Sequence, residues 1–174
     1  MDQGLRKEKV NKWYHAYSND LYRYILLMIG DRDQAKDILQ DTFLRAYDKL
    51  ESFDGENARS WLFRIARNLT IDYIRKKKPI AYFIDSPSLI KATDKNPEQL
   101  MALNEAERDI HSALRNIKRT YRDVIILRKI KEFSISESAR ILGWSENKVK
   151  ITLFRGMKAL RKELEKEGYG HETI

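Results

Sequence analysis

The stretch SISESARILGWSENKVKITLFRGMKALRK, residues 134–162, predicts two consecutive helices separated by a tight turn. Ser134 and Glu137 have the spacing of a capping box, in which two side chains satisfy free backbone amides at a helix start. Gly143 suits the turn that ends this short helix, because glycine adopts the left-handed conformation without strain. Ser145 is then placed to cap a second, longer helix.

The spacing within this stretch favours a helix-turn-helix over an ordinary helical hairpin. Ala139 is small where a second helix must cross closely, Gly143 permits the turn, and Val149 is apolar on the following helix. Any two helices joined through glycine share part of this pattern, so the ordinary hairpin stays an alternative. Residues 144–162 carry six cations and one acid, a net +5, whereas a merely solvated helix usually mixes charges. Such a helix would contact base edges near its N-terminus and phosphates further along.

The composition of the whole chain favours helices and a polyanionic partner. Its 174 residues have a net charge of +8 and include only seven glycines and three prolines, too few turn formers for a many-stranded sheet. The absence of cysteine excludes disulfides, thiolate zinc sites and cysteine nucleophiles. The three histidines are scattered, and no HExxH, GxSxG or phosphate-binding loop occurs. We therefore expect no catalytic site, no metal site and no cofactor.

The N-terminus and the hydropathy pattern predict a cytoplasmic protein. The first residues, MDQGLRKEKVNKW, are charged where a signal peptide is apolar. No apolar run approaches the roughly 20 residues that a membrane helix requires. We therefore expect neither export nor membrane insertion.

The prolines divide the chain into two halves. All three lie within residues 79–100, which show no sustained periodicity and are predicted to be a linker. Residues 1–78 carry a net +4 and residues 101–174 a net +5, whereas the linker carries −1. Two basic modules on one chain indicate a shared polyanion. The predicted fold class is all-α, with two small helical domains joined by a flexible linker and the helix-turn-helix in the C-terminal domain.

Apolar residues at spacings of three and four predict three helices in residues 1–78. On the third helix Trp61 and Tyr73 fit the buried stripe. A different face carries Arg64, Asn68, Ile71 and Arg75. The cations of residues 75–78 stabilise a helix C-terminus in any protein, so a nucleic-acid role is only one alternative there. The nearby amide and aromatic groups favour nucleic acid.

Two polar patterns on other helices each have a simple structural explanation. The second helix carries a polar face of Asp37, Gln40, Asp41 and Arg45, which is either the wet side of a bundle or a docking surface for a protein partner. Thr120 and Asp123 have the spacing of a capping pair at the start of the helix that precedes residues 134–162.

Three segments in this order resemble a bacterial extracytoplasmic-function (ECF) sigma factor. DQAKDILQDTFLRAYDKLESF, residues 33–53, is similar to the family's polymerase-binding segment. ARSWLFRIARNLTIDYIRKKKP, residues 58–79, resembles its promoter-melting and minus-ten segment. YRDVIILRKIKEFSISESARILGWSENKVKITLFRGMKALRKEL, residues 121–164, resembles its minus-thirty-five helix-turn-helix. The resemblance implies a factor, not itself an enzyme, that binds core RNA polymerase and promoter DNA, with an anti-sigma protein as a further partner.

The resemblance also implies which residues do this. The surface that meets core polymerase would include Asp37, Gln40, Asp41, Phe43 and Arg45. The minus-ten surface, whose loop at residues 53–57 is placed to receive a flipped base, would include Phe53, Asp54, Asn57, Trp61, Asn68, Asp72, Arg75 and Lys76. The minus-thirty-five surface would include Ser145, Asn147, Lys148, Lys150, Thr152, Arg155 and Lys158.

The chain departs from the family's pattern at three places. Lys118 stands where the family usually has proline, and Lys36 stands where it usually has an acid. Ile151 and Thr152 replace the usual Ser-Arg pair, and only this change concerns sequence specificity. We expect Thr152 to face DNA, where its methyl and hydroxyl groups reach a thymine methyl or a phosphate.

Other protein classes share the C-terminal helix-turn-helix. A response regulator would need an α/β receiver in the first half, and a serine recombinase would need an α/β catalytic domain. The helical periodicity of residues 1–78 disagrees with both. A helix-turn-helix regulator that does not bind core polymerase stays the main alternative.

Overall fold

The structure, a computed structural model, describes residues 2–55, 57–87, 103–166 and 168. All regular structure in these ranges is helical, which confirms the predicted all-α fold. The N-terminal domain comprises α1 (Gln3–Ile29), α2 (Arg32–Asp48), α3 (Ala58–Lys77) and α4 (Pro79–Phe83). The C-terminal domain comprises α5 (Glu105–Arg115), α6 (Arg119–Ile125), a π-helical segment (Ile126–Ile130), α7 (Ile135–Leu142) and α8 (Glu146–Lys166).

The short helix α4 occupies the first five residues of the predicted linker. Proline at its first position suits a helix start, because that position needs no amide donor. Residues 88–102 lie outside the described residues. The flexible linker therefore stays a prediction.

Side-chain caps begin α2, α3 and the helix-turn-helix, and those of the helix-turn-helix are the predicted ones. Asp31 accepts a hydrogen bond from the Gln34 amide, and Asn57 accepts one from the Ser60 amide. The Ser134 hydroxyl accepts from the Glu137 amide at 3.0 Å, and the Glu137 carboxylate accepts from the Ser134 amide at 2.9 Å. These side chains satisfy amides that have no partner within the helix.

The turn and the crossing of the helix-turn-helix depend on two glycines. Gly143 ends α7 with φ of 71°, the left-handed conformation that glycine adopts without strain. The Ser145 hydroxyl accepts from the Lys148 amide at 3.1 Å and caps α8. At Gly156 a Cβ atom would lie 3.1 Å from Tyr121 Cβ, so α8 crosses α6 closely. The predicted helix-turn-helix is confirmed.

Two local predictions were wrong. Ile71, expected on an exposed face of α3, is buried in the shared core. The helix α6 begins at Arg119 with no side-chain cap, although Thr120 and Asp123 have capping spacing. Thr120 instead bonds Asp85 near the end of α4, and Asp123 turns into the interior. At Thr120 and Asp123, interactions with residues distant in sequence therefore replace the expected helix cap.

The two domains pack against each other around a common interior. The fully buried Arg122 of α6 donates from Nη1 to the Met28 carbonyl of α1 at 2.7 Å and from Nε to the Leu114 carbonyl at 3.1 Å. Its neighbour Asp123 accepts from the Tyr24 hydroxyl at 2.8 Å and from Arg67 Nε of α3 at 3.1 Å. Helix α1 thus supplies one acceptor for Arg122, and α1 and α3 supply the donors to Asp123.

More polar contacts surround this buried centre. Asp20 of α1 accepts from Arg59 Nε at 2.8 Å and pairs with Lys131 Nζ at 2.9 Å. Arg59 also donates to the Lys131 carbonyl at 3.0 Å. Arg23 pairs with Glu107 of α5. We call this arrangement, in which α1 and α3 contact the C-terminal domain, the closed arrangement.

Candidate functional site

An apolar groove of about 1200 Å³ lies between α1 and α2. The Phe43 ring of α2 lines it and meets the Tyr14 ring of α1 edge-on, with centroids 5.1 Å apart. Leu44 also lines the groove and is 58% exposed. An apolar surface of this kind beside a polar helix face is typical of protein docking sites.

The groove adjoins the residues expected to meet polymerase. Gln40 and Phe43 line it, whereas Asp37, Asp41 and Arg45 are exposed further round α2. Phe43 is only 7% exposed and belongs to the core, whereas the other four residues are exposed on α2.

Several residues that line the groove are not among those that the sequence assigns to the polymerase-binding surface. They include Tyr14 of α1 and Leu44 of α2. Leu44 interrupts an otherwise polar face, and this irregularity was a usable signal. Lys36, which departs from the family's usual acid, also lines the groove.

A cluster of three aromatic rings holds the start of α3. Trp13 of α1, Phe53 and Trp61 have ring centroids between 5.0 and 5.8 Å apart. Lys9 Nζ lies 5.4 Å from the Phe53 centroid. The cluster fixes one end of the loop at residues 53–57, in which Asp54 is exposed. Residue 56 lies outside the described residues.

The predicted minus-ten residues of α3 form a stripe along one side of the helix. Trp61, Asn68 and Arg75 follow at intervals of seven residues, so they share a face. Asp72 pairs with Arg75 at 2.5 Å on the same side, and both are exposed by nearly half. The stripe combines an amide, cations and an aromatic edge, groups that suit unpaired bases and phosphates. Lys76 is exposed at its border.

Helix α8 presents a basic surface to solvent. Its packed side consists of Val149, Gly156, Leu160 and Leu164. The exposed predicted residues are Ser145, Asn147, Lys148, Lys150, Arg155 and Lys158. Thr152 is half-buried at the edge of the packed side, and its contact with DNA stays a prediction. Its neighbour Ile151 faces outward instead and is 47% exposed.

The described residues contain no group of three or more His, Asp or Glu side chains that could hold a metal ion. No helix within residues 2–55, 57–87 and 103–166 is long and apolar enough to cross a membrane.

Comparison with known proteins connects these surfaces to a family. The Sigma-70 region 2 model matches residues 13–80, and the Sigma-70 region 4 model matches residues 107–160. The ECF RNA polymerase sigma factor SigX of Bacillus subtilis is 36% identical over 159 residues, which cover 87% of this chain and 81% of that protein. SigW of the same organism is 38% identical over 159 residues, covering 85% and 84%.

The chain belongs to the ECF sigma factors. As an alternative sigma factor, it directs promoter-specific initiation of transcription. Region 2 comprises the groove, the aromatic cluster and the α3 stripe, and region 4 comprises the helix-turn-helix.

A solved structure supports the same fold. The sigma factor RpoE of Bartonella quintana, in a co-crystal structure with the anti-sigma factor NepR, has a TM-score of 0.73 and 26% identity. The similarity covers 91% of this chain and 98% of that one.

The closed arrangement engages part of this sigma factor's predicted minus-ten surface. Asn57 Nδ2 donates to the Glu137 carboxylate of α7 at 2.9 Å, and Ser60 Oγ lies 3.3 Å from the same oxygen. The Ser134 amide holds the pKa of Glu137 below its usual range, which keeps this acceptor charged. Arg67 also donates to the Leu142 carbonyl at the end of α7. Region 4 therefore lies against the N-terminal half of α3.

Proposed function

We propose that this sigma factor binds core RNA polymerase through the α1–α2 groove and the adjoining polar face of α2. The α3 stripe and the loop at residues 53–57 then hold the opened minus-ten element, and α8 reads the minus-thirty-five element. The segregation of surface chemistry supports these assignments. An apolar groove with exposed acids suits a protein partner, whereas the cations of α8 suit phosphates.

We propose further that the closed arrangement belongs to the free factor and opens on the promoter. The two elements lie about 25 base pairs apart, roughly 85 Å at about 3.4 Å per base pair. A compact chain of this length has a radius of gyration of about 16 Å and a diameter of about 40 Å. The two surfaces therefore reach both elements only after region 4 leaves α3.

The remaining partners follow from the family. RpoE, at 26% identity, was solved with an anti-sigma factor, and we propose that an anti-sigma protein also binds this chain. The factor contributes promoter specificity rather than a catalytic group, because the polymerase carries out the chemistry. It acts in the bacterial cytoplasm, where polymerase and DNA meet.

Run-off transcription with core polymerase on a genomic promoter library tests the proposed function. We expect the factor to yield transcripts from a distinct set of promoters that share two spaced elements. A factor that binds DNA but starts no transcripts would be a helix-turn-helix regulator instead.

Reversing the charge of Asp41 should weaken binding to core polymerase. Asp41 is exposed next to the groove. If the polymerase surface is complementary to this carboxylate, a lysine at the same position would be repelled by it. We expect Asp41→Lys to raise the dissociation constant about ten-fold, or about 1.4 kcal/mol. Titration of labelled factor with core polymerase measures this change.

The matched control is Asp109→Lys, which makes the same charge change on the exposed side of α5 in region 4. It should bind polymerase like the parent. Equal binding by both variants and the parent would remove the polar face of α2 from the interface.

Two cations of α8 should fail differently when removed. If Lys150 reads a base, Lys150→Ala costs about 1–3 kcal/mol on the preferred upstream sequence and flattens the preference at that base. If Arg155 holds a phosphate, Arg155→Ala weakens all sequences alike and lowers the salt slope by about one. Promoter binding by holoenzyme at several salt concentrations separates the two effects. The opposite pattern would exchange the two roles.

A further inference from the structure

Helix α8 presents two large apolar side chains in the middle of its basic surface. Ile151 is 47% exposed and Phe154 is 64% exposed. Ile151 follows the fully buried Val149 by two residues, or about 200° at 100° per residue, so it points away from the domain core. Phe154 is the other large apolar side chain exposed on α8, three residues further along the helix.

Cations surround Ile151 on the helix surface. Lys148 lies three residues before it and Arg155 four residues after it, which are the spacings of helical neighbours. A single exposed isoleucine is ordinary on a protein surface. This one lies where the surrounding cations would hold phosphates, so DNA binding would bury it. It is the sixth residue of α8, within the N-terminal half that reaches base edges in helix-turn-helix proteins.

We propose that Ile151 determines specificity by contacting the C5 methyl of one thymine in the minus-thirty-five element. This inference rests on the proposed docking of α8 in the major groove. Isoleucine donates and accepts no hydrogen bond, so the methyl is the one thymine group in that groove that it can recognise. Cytosine carries hydrogen at the same carbon, so the contact separates two pyrimidines. Branching at Cβ restricts Ile151 to essentially one χ1 rotamer on a helix, which fixes the side chain before DNA arrives.

Replacing single thymines by deoxyuridine tests the contact, since this change removes the methyl and keeps every base-pairing group. The probe is a promoter selected by the parent holoenzyme from a randomised upstream element. One thymine should be sensitive, with binding about four-fold weaker after replacement, the loss expected for about 0.8 kcal/mol of buried methyl. Holoenzyme made with Ile151→Ala should bind both promoters equally. Alanine favours helix, so the variant should keep its fold.

A second measurement at the same base position adds a methyl group instead of removing one. The parent should bind 5-methylcytosine about four-fold more tightly than cytosine, and Ile151→Ala should not distinguish them. The control Leu5→Ala removes another exposed apolar side chain, 58% exposed on α1, and should retain both responses of the parent.

The outcomes separate this inference from the proposed function. A parent that selects an upstream sequence but tolerates deoxyuridine at every thymine overturns the role of Ile151 alone. Equal sensitivity of the parent and Ile151→Ala does the same. A parent holoenzyme that selects no upstream sequence overturns the role of α8 and this inference with it.

Discussion

Replacing Asp123 by alanine should separate the two domains. The carboxylate is fully buried and accepts hydrogen bonds from the Tyr24 hydroxyl of α1 and Arg67 of α3. Its removal leaves the Arg67 side chain, 12% exposed, without its charge partner. Breaking a buried pair in this way costs about 3–5 kcal/mol, because the remaining charge stays out of water. Opening the interface hydrates Arg67 and relieves that cost.

The expected loss of free energy is large enough to shift the population from the closed to the open form. Inverting a 99:1 population takes about 5.5 kcal/mol, so a loss of 3–5 kcal/mol populates the open form substantially. Small-angle scattering should show a larger radius of gyration for Asp123→Ala than for the parent. Denaturant unfolding should show a lower free energy of unfolding.

The control is the exposed pair between Asp72 and Arg75, both nearly half-exposed. Asp72→Ala should change the free energy of unfolding by at most about 1 kcal/mol, since water screens such pairs. An Asp123→Ala protein as compact and as stable as the parent would show that the contacts of Asp123 with Tyr24 and Arg67 do not hold the domains together.

Acidification from pH 6.5 to pH 4 should destabilise the fold through His111. Burial, and the nearby Arg115 and Arg122 cations, lower the pKa of this α5 side chain from 6.5 to about 4. The unfolded chain therefore binds a proton below about pH 6.5, whereas the folded protein does so only near pH 4. Stability is full above pH 6.5 and falls as the pH drops through this window, by about 3 kcal/mol in total.

Urea unfolding at several pH values between 7 and 4 measures this dependence. His111→Gln removes the titrating group, so its free energy of unfolding should change much less between pH 6.5 and 5. Glu137 has a lowered pKa, so its contribution is present above about pH 4.5 and is lost only below that value. An equal slope in the parent and His111→Gln between pH 6.5 and 5 would assign the dependence to other groups.

Features that depend on neighbours a few residues apart could be predicted from the amino-acid sequence alone. Ser134 with Glu137 begins α7, Gly143 ends it, and Ser145 caps α8. Capping needs only groups within one helical turn, so its signal lies in the spacing. The order of the three segments sufficed in the same way to predict the family and the two helical regions.

The rotation of α8 about its axis depended on packing. In the structure Thr152 is half-buried and its neighbour Ile151 faces outward, a difference that the sequence pattern did not predict. The close approach of Gly156 to Tyr121 and Ile125 fixes which side of the helix lies on the core. One residue corresponds to about 100° of rotation, so a small error in the assumed packed side moves a residue from one face to another.

The closed arrangement depends on contacts between residues that lie far apart in the sequence. Asp123 has capping spacing with Thr120, but its partners are Tyr24 and Arg67, which lie 99 and 56 residues away. Arg122 likewise takes its acceptor from Met28, 94 residues earlier. A buried charge costs too much free energy to remain unpaired. Its partner is therefore a polar group that the packing of the two domains places beside it. Sequence spacing records local partners, whereas partners this distant are set by how the two domains pack.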